Sequence, residues 1–208
     1  TRTGERKAVL TAQTALEWAC SSGCGPAGQA TRLSKVRQFL TFLQASEPQI
    51  EIPPPGLLPQ PLRPIPHIYS DEEINALMTQ ARQLGPLVSL RPHTYSTLIG
   101  ILASCGLRVG EAIRLRVDDV QLSVEPPRLQ VLDSKFGKSR LVPLHPTATA
   151  ALATYATQRR ELSYAGRCDA FLVSEAFAPL NLCVVIRTFA KLIDRAGIKR
   201  GGVGMRRP

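Results

Sequence analysis

Arg108 and Lys135 are the residues of this chain whose type and setting could do chemistry. Arg108 stands in Gly106-Leu107-Arg108-Val109-Gly110-Glu111, and Lys135 in Ser134-Lys135-Phe136-Gly137-Lys138-Ser139-Arg140-Leu141-Val142-Pro143-Leu144. The first block reads as the end of one helix, a glycine stop and the start of another, which presents Arg108 from an interhelical corner. The second reads as a tight β-hairpin with Lys135 on the entry to its turn. A planar guanidinium and a mobile ammonium on rigid elements are suited to gripping a phosphate oxygen and protonating a leaving oxygen. Each residue alone has a plainer reading. An arginine after Gly-Leu is ordinarily a surface residue or the partner of a nearby acid such as Glu111. A lysine near a hairpin turn is ordinarily solvated, as Lys138 beside it illustrates.

The elements around these blocks must hold them. Before Gly106, a helix over about 94–105 carries Leu98, Ile99, Ile101 and Leu102 and is apolar almost all round, which marks it as central and buried. Ahead of it, Ser70-Asp71-Glu72-Glu73 is a capping box, and Ile74, Leu77, Met78, Ala81 and Leu84 form one apolar stripe of the helix it starts. Val109 to Leu115 is a short helix. Arg128 to Leu132 alternates like a strand, Ser139 to Leu144 returns, and Gly137 supplies the turn. Helices at about 147–162 and 181–196 follow, the second with Asn181 and Gly197 as its caps. Between them, Ala170 to Ser174 reads as a short strand or extended segment.

Residues 11–20 and 29–45 form a smaller helical region with an apolar stripe at Leu33, Val36, Leu40 and Leu43, while Arg32 and Lys35 fall on another face. Its start reads as incomplete, with a first helix missing. Eight prolines between Pro48 and Pro66 remove amide donors and favour extended backbone, so that stretch reads as a semi-rigid spacer.

Composition narrows the partners. The net charge is +10 and the pI about 9.9. The excess is +3 over residues 1–70 (7 basic, 4 acidic) and +7 over 71–208 (19 basic, 12 acidic). Basicity spread along a folded chain suits contact with a phosphate backbone, although arginine as a default surface residue would give the same total. No apolar run approaches the roughly 20 residues of a membrane span. The five cysteines are scattered, and Cys20-x-x-x-Cys24 has no second Cys/His pair to complete a zinc site.

Together the two blocks resemble those of the tyrosine recombinase (phage integrase) family of site-specific DNA recombinases. The resemblance extends over nearly the whole chain. It implies a mainly α fold with a small β-hairpin or sheet (α+β): a helical core-binding domain over 1–47, the proline spacer over 48–66 and an integrase-type catalytic domain over 67–208, both domains incomplete. By the resemblance, Arg108 binds the non-bridging oxygens of the scissile phosphate and Lys135 protonates the leaving 5′ oxygen. Glu111 orients Arg108, and Lys138 and Arg140 contact the DNA backbone, with Arg32 and Lys35 as contacts from the helical region. The implied partners are double-stranded DNA, clamped between the two domains, and other recombinase protomers, as a tetramer on paired sites. No cofactor and no metal is implied, because guanidinium and ammonium groups replace the metal electrostatically. The implied location is cytoplasmic and nucleoid-associated.

The family also needs a His-x-x-Arg box, a second His or Trp and a nucleophilic Tyr after the hairpin. His67, His93 and His145 lack an Arg three residues on, and Tyr69, Tyr95, Tyr155 and Tyr164 fit core or surface positions better than a nucleophile's. Thr1 is not a natural start, and Pro208 falls where the His-x-x-Arg helix is expected. The expectation is therefore a fragment that does not cleave DNA by itself. A non-catalytic DNA-binding remnant or competitor of an intact recombinase, and a type IB topoisomerase-like enzyme, are the rival readings.

Overall fold

The structure, a computed structural model, describes residues 10–59, 66–86, 89–132, 137–162 and 168–198. The chain divides into two compact units, residues 1–64 and 65–208.

In the first unit, α1 (Ala12–Cys20) is capped by the Thr11 hydroxyl, which accepts from the Thr14 amide, and α2 (Pro26–Gln44) begins with proline in its first turn. Ala15 and Ala19 of α1 are small enough to let α2 approach, and they share a core with Leu33, Leu40 and Ile50. The first half of the proline-rich stretch is part of this core. Ile52 and Leu58 pack against it, and Arg37 donates to the carbonyls of Pro53 (2.9 Å) and Pro54 (3.0 Å). Prolines offer acceptors and no donors, so a side chain from the helix supplies the bonds that a ladder would supply elsewhere.

The second unit is built round α4 (Arg91–Cys105), which packs on α3 (Asp71–Arg82) at one side and α6 (Pro146–Leu162) at another. The Ser70–Glu73 capping box is formed in both directions. Gly106 ends α4 at φ +60 and ψ 28, the left-handed geometry that glycine adopts without a Cβ penalty. Then come α5 (Val109–Ala112), a 3₁₀ turn at Val117–Asp119, and a three-stranded antiparallel sheet in the order β1 (Val120–Gln121), β2 (Arg128–Val131), β3 (Arg140–Pro143). The sequence suggests two strands there. The third is a two-residue strand, too short to show alternation.

On β2, Leu129 and Val131 face the core between the outward Arg128 and Gln130. After α6, residues 168–173 run beside the exit of α5: Val117 donates to the Asp169 carbonyl and Phe171 to that of Leu115. Asn181 caps α7 (Leu182–Arg195), accepting from the amides of Cys183 and Val184. No helix among the described residues is long and apolar enough to cross a membrane.

Candidate functional site

Arg108 is the N-cap of α5, held in extended geometry (φ −70, ψ 146) directly after the left-handed Gly106 and the buried Leu107. Three residues on, Glu111 turns its carboxylate back to this corner. Its Oε2 accepts from the Arg108 amide at 2.9 Å and its Oε1 from the Arg108 Nη1 at 3.0 Å. Such a return bond from the third helical position satisfies an amide the helix cannot. The same device recurs at once, where Asp119 accepts from the Arg116 amide at 2.8 Å.

The hairpin brings a second guanidinium to the same carboxylate. Arg140 donates from Nη1 to Oε1 of Glu111 at 3.2 Å and from Nη2 to Oε2 at 2.9 Å. The register explains the direction. Arg140 pairs with Val131 across the ladder, opposed residues share a face of the sheet, and Val131 faces the core. Arg140 is thereby turned towards the buried Glu111, while Leu141, the next residue, is exposed. The Glu111 side chain is 2% exposed, that of Arg140 40% and that of Arg108 63%. Hydrogen bonding to Glu111 holds the Arg140 guanidinium above the ordinary arginine range. Among the described residues, two guanidinium groups meet on one carboxylate, with the most exposed member at the helix corner. Such a cluster suits an anion.

Lys135 and its neighbours at 133–136 lie outside the described residues. Lys138 is exposed just after Gly137, whose φ of +68 makes the turn. In the first unit Lys35 is exposed on α2, but Arg32 is engaged. Its guanidinium lies 3.9 Å from the centroid of the Trp18 ring and donates to the Trp18 carbonyl at 3.1 Å. Its Nε is buried without a hydrogen-bond partner among the described residues. Trp18, on α1, is 50% exposed and serves as the platform for this arginine.

The described tyrosines are occupied elsewhere. Tyr155 on α6 is 1% exposed, its hydroxyl bonded to Thr94 on α4 and to the amide of Val173, and burial pushes its phenol up from the ordinary value. Tyr95 is buried, Tyr69 packs edge-on against Phe189 and His67, and Tyr164 lies outside the described residues. Among the described residues no three His, Cys, Asp or Glu side chains gather to hold a metal ion. A groove of about 850 Å³ runs between α3, α4 and α6, and it shares no residue with the Arg108–Glu111–Arg140 cluster.

The part of this cluster that the sequence does not disclose is the inward turn of Arg140. A signal exists: alternation along β2 and a short turn set which β3 residues face the core. Knowing the register requires the sheet.

Residues 68–206 match the sequence profile described as the phage integrase family. A Sinorhizobium fredii protein named as putative integrase/recombinase y4rB is 38% identical over 196 residues, covering 91% of this chain. The tyrosine recombinase XerD of Brucella suis is 33% identical over 201 residues, covering 90%. The chain spans 62% of the length of each of these relatives. Among solved structures, the XerH site-specific recombinase bound to a palindromic difH substrate in a post-cleavage complex matches at a TM-score of 0.66. That match covers 94% of this chain and 56% of that one, and at 17% identity it shows the fold alone.

Proposed function

The chain belongs to the phage integrase family, and we propose that it carries the phosphate-gripping half of a tyrosine site-specific recombinase acting on double-stranded DNA. The observation that carries this reading is the corner itself: Arg108 exposed at the junction of α4 and α5, anchored by a buried carboxylate that also holds the hairpin. In this reading Arg108 binds the non-bridging oxygens of the scissile phosphate and stabilises the charge that grows there in the transition state. Lys135, on the same hairpin as Arg140, gives a proton to the departing 5′ oxygen. A tyrosine hydroxyl of the complete protein attacks phosphorus, the bond to the 5′ oxygen breaks, and a 3′-phosphotyrosyl bond replaces it. One phosphate ester is exchanged for another, so no nucleotide is consumed. Lys138 and Lys35 are the exposed cations suited to backbone contacts, and further protomers complete the strand exchange.

The chain with any continuation of its gene tests this on a duplex nicked beside the scissile phosphate, which traps the covalent adduct. Arg108→Ala should abolish the adduct and leave duplex affinity nearly intact, because the guanidinium contributes most where transition-state charge accumulates. Adduct formation by Arg108→Ala at the wild-type rate would remove Arg108 from the chemistry.

A further inference from the structure

The β1–β2–β3 sheet has a second face, turned away from the core. We propose that this face reads base edges of duplex DNA through Arg128, Gln130 and Leu141, with Gln121 as the residue that positions them. The proposal rests on the reading of the chain as a DNA-acting protein and deepens it by naming residues that choose the target sequence. Register defines the face. Gln121 pairs with Arg128, and Gln130 with Leu141, across the two ladders, and opposed residues share a face. Leu129 and Val131 point the other way, into the core.

Hydrogen bonds order the face before any ligand arrives. Arg128 donates from Nε to Oε1 of Gln121 at 2.8 Å, and Gln121 donates from Nε2 to Oε1 of Gln130 at 3.2 Å. Arginine can only donate, so Gln121 must present its oxygen to Arg128 and its nitrogen to Gln130. Gln130 must then turn its own oxygen inward along this chain. Both amide oxygens are engaged, while the two Nη groups of Arg128 and the Nε2 of Gln130 meet no acceptor among the described residues and are not buried. None of the three strands contains Asp or Glu. What the face offers is donors, held in fixed positions, and the exposed Leu141 beside them. The complement of such a face is a base edge rich in acceptors. Guanine presents O6 and N7 to the fork of an arginine in the major groove, the glutamine amine suits a neighbouring acceptor, and the leucine suits a thymine methyl. Beyond the short β1, β2 and β3 form a two-stranded ribbon, an element that the major groove admits. A phosphate also accepts hydrogen bonds, but it rewards charge, and here a single cation stands with two neutral amides. Side chains ordered in the free protein lose little freedom on binding, which favours discrimination.

Selection of bound duplexes from a randomised library by the 208-residue chain, followed by sequencing, tests the proposal. The wild type should enrich a motif containing a guanine, preferred over other bases by about 5- to 150-fold, the worth of one good bidentate contact. Arg128→Ala should erase that preference, and Gln130→Ala should blur a neighbouring position. Should Arg128→Ala not fold, as judged by circular dichroism, Arg128→Lys decides, since it keeps the charge and loses the fork. Gln121→Ala should weaken both preferences. Gln121→Glu still accepts from Arg128 but obliges the Gln130 amide to turn over and donate to it, which presents Oε1 outward. The Gln130 position should then switch from an acceptor-bearing base to one with an amino group, adenine or cytosine, an outcome that a merely structural Gln121 would not produce. An unchanged motif from Arg128→Ala and Gln130→Ala overturns the proposal. So does a uniform loss of affinity with the motif intact, which marks contact with phosphate. Duplex binding by the wild type without any enriched motif overturns it as well and leaves the DNA-acting reading in place, whereas absence of duplex binding sinks that reading itself.

Discussion

Replacing Tyr155 by phenylalanine separates a core tyrosine from a nucleophile, and the structure sets the size of the effect. Tyr155, Thr94 and Val173 form a closed loop across α6, α4 and the segment after α6. The Thr94 hydroxyl donates to the Val173 carbonyl at 3.0 Å, so its oxygen is left to accept from the Tyr155 hydroxyl, also at 3.0 Å. The phenol oxygen in turn accepts from the Val173 amide at 3.4 Å. Phenylalanine keeps the ring and its edge-on contact with Phe171, but strands a buried amide and half of a buried hydroxyl. An unmet buried polar group costs about 1–3 kcal/mol, and the long amide contact places this one low in that range, at about 1–2 kcal/mol. For a unit of this size that is a fall in Tm of roughly 3–8 °C. Thermal melts followed by circular dichroism measure it, and Thr94→Val in a double-mutant cycle should show coupling between the two hydroxyls. Burial raises the phenol in the folded state. Its contribution is therefore full below the ordinary tyrosine value of about 10 and is lost as pH rises through the folded-state value. The gap between wild type and Tyr155→Phe should accordingly narrow in that alkaline range. A Tm unchanged within about a degree would refute the loop as a stabilising element. Loss of a covalent DNA adduct in Tyr155→Phe, with the fold intact, would refute the assignment of Tyr155 to the core.

Three further outcomes are expected. Lys135→Ala should abolish cleavage of ordinary duplex by the complete protein yet be rescued on a 5′-phosphorothiolate substrate, because sulfur departs without a proton; an equal defect on both would exclude Lys135 as the acid. Gly106→Ala has open space for its Cβ but a φ of +60, so urea unfolding should show a loss of about 1–2 kcal/mol from backbone strain alone, and no loss would contradict the left-handed stop. The Ser70 amide, and then His67, hold the Glu73 carboxyl below its ordinary value. Its contribution is therefore present above the unfolded value of about 4.3 and lost as pH falls through the folded one. Melts of Glu73→Gln against wild type should differ at neutral pH and converge in acid, and a gap constant with pH would exclude the capping role.

Much of the fold was legible because its signals lie within a few residues of one another. Ser70 with Glu73, Asn181 with the amides that follow it, and Gly106 after an apolar helix are local arrangements that physical chemistry permits in few other forms. The apolar stripe of α3 and the all-round apolarity of α4 carried burial in the same direct way. The two-residue strand β1 was not legible, nor was the anchoring of Ile50, Ile52 and Leu58 on the first unit. In a proline-rich stretch composition speaks of donors removed, and the acceptors left behind found Arg37.

By itself the sequence singled out the residues whose type suits chemistry, Arg108 at a helix corner and Lys135 where a hairpin is expected, in a basic chain. That follows because such motifs are short and their geometry is set by the turns that contain them. Only the tertiary structure decided what the neighbouring cations do. Arg32 and Arg140 look equally suited to phosphate in a linear reading, yet one lies on the exposed ring of Trp18 and the other forks a buried carboxylate 29 residues away. An arginine's charge is written in its type. Whether that charge faces solvent or is matched inside the protein depends on strand register and helix packing, which bring together residues distant along the chain.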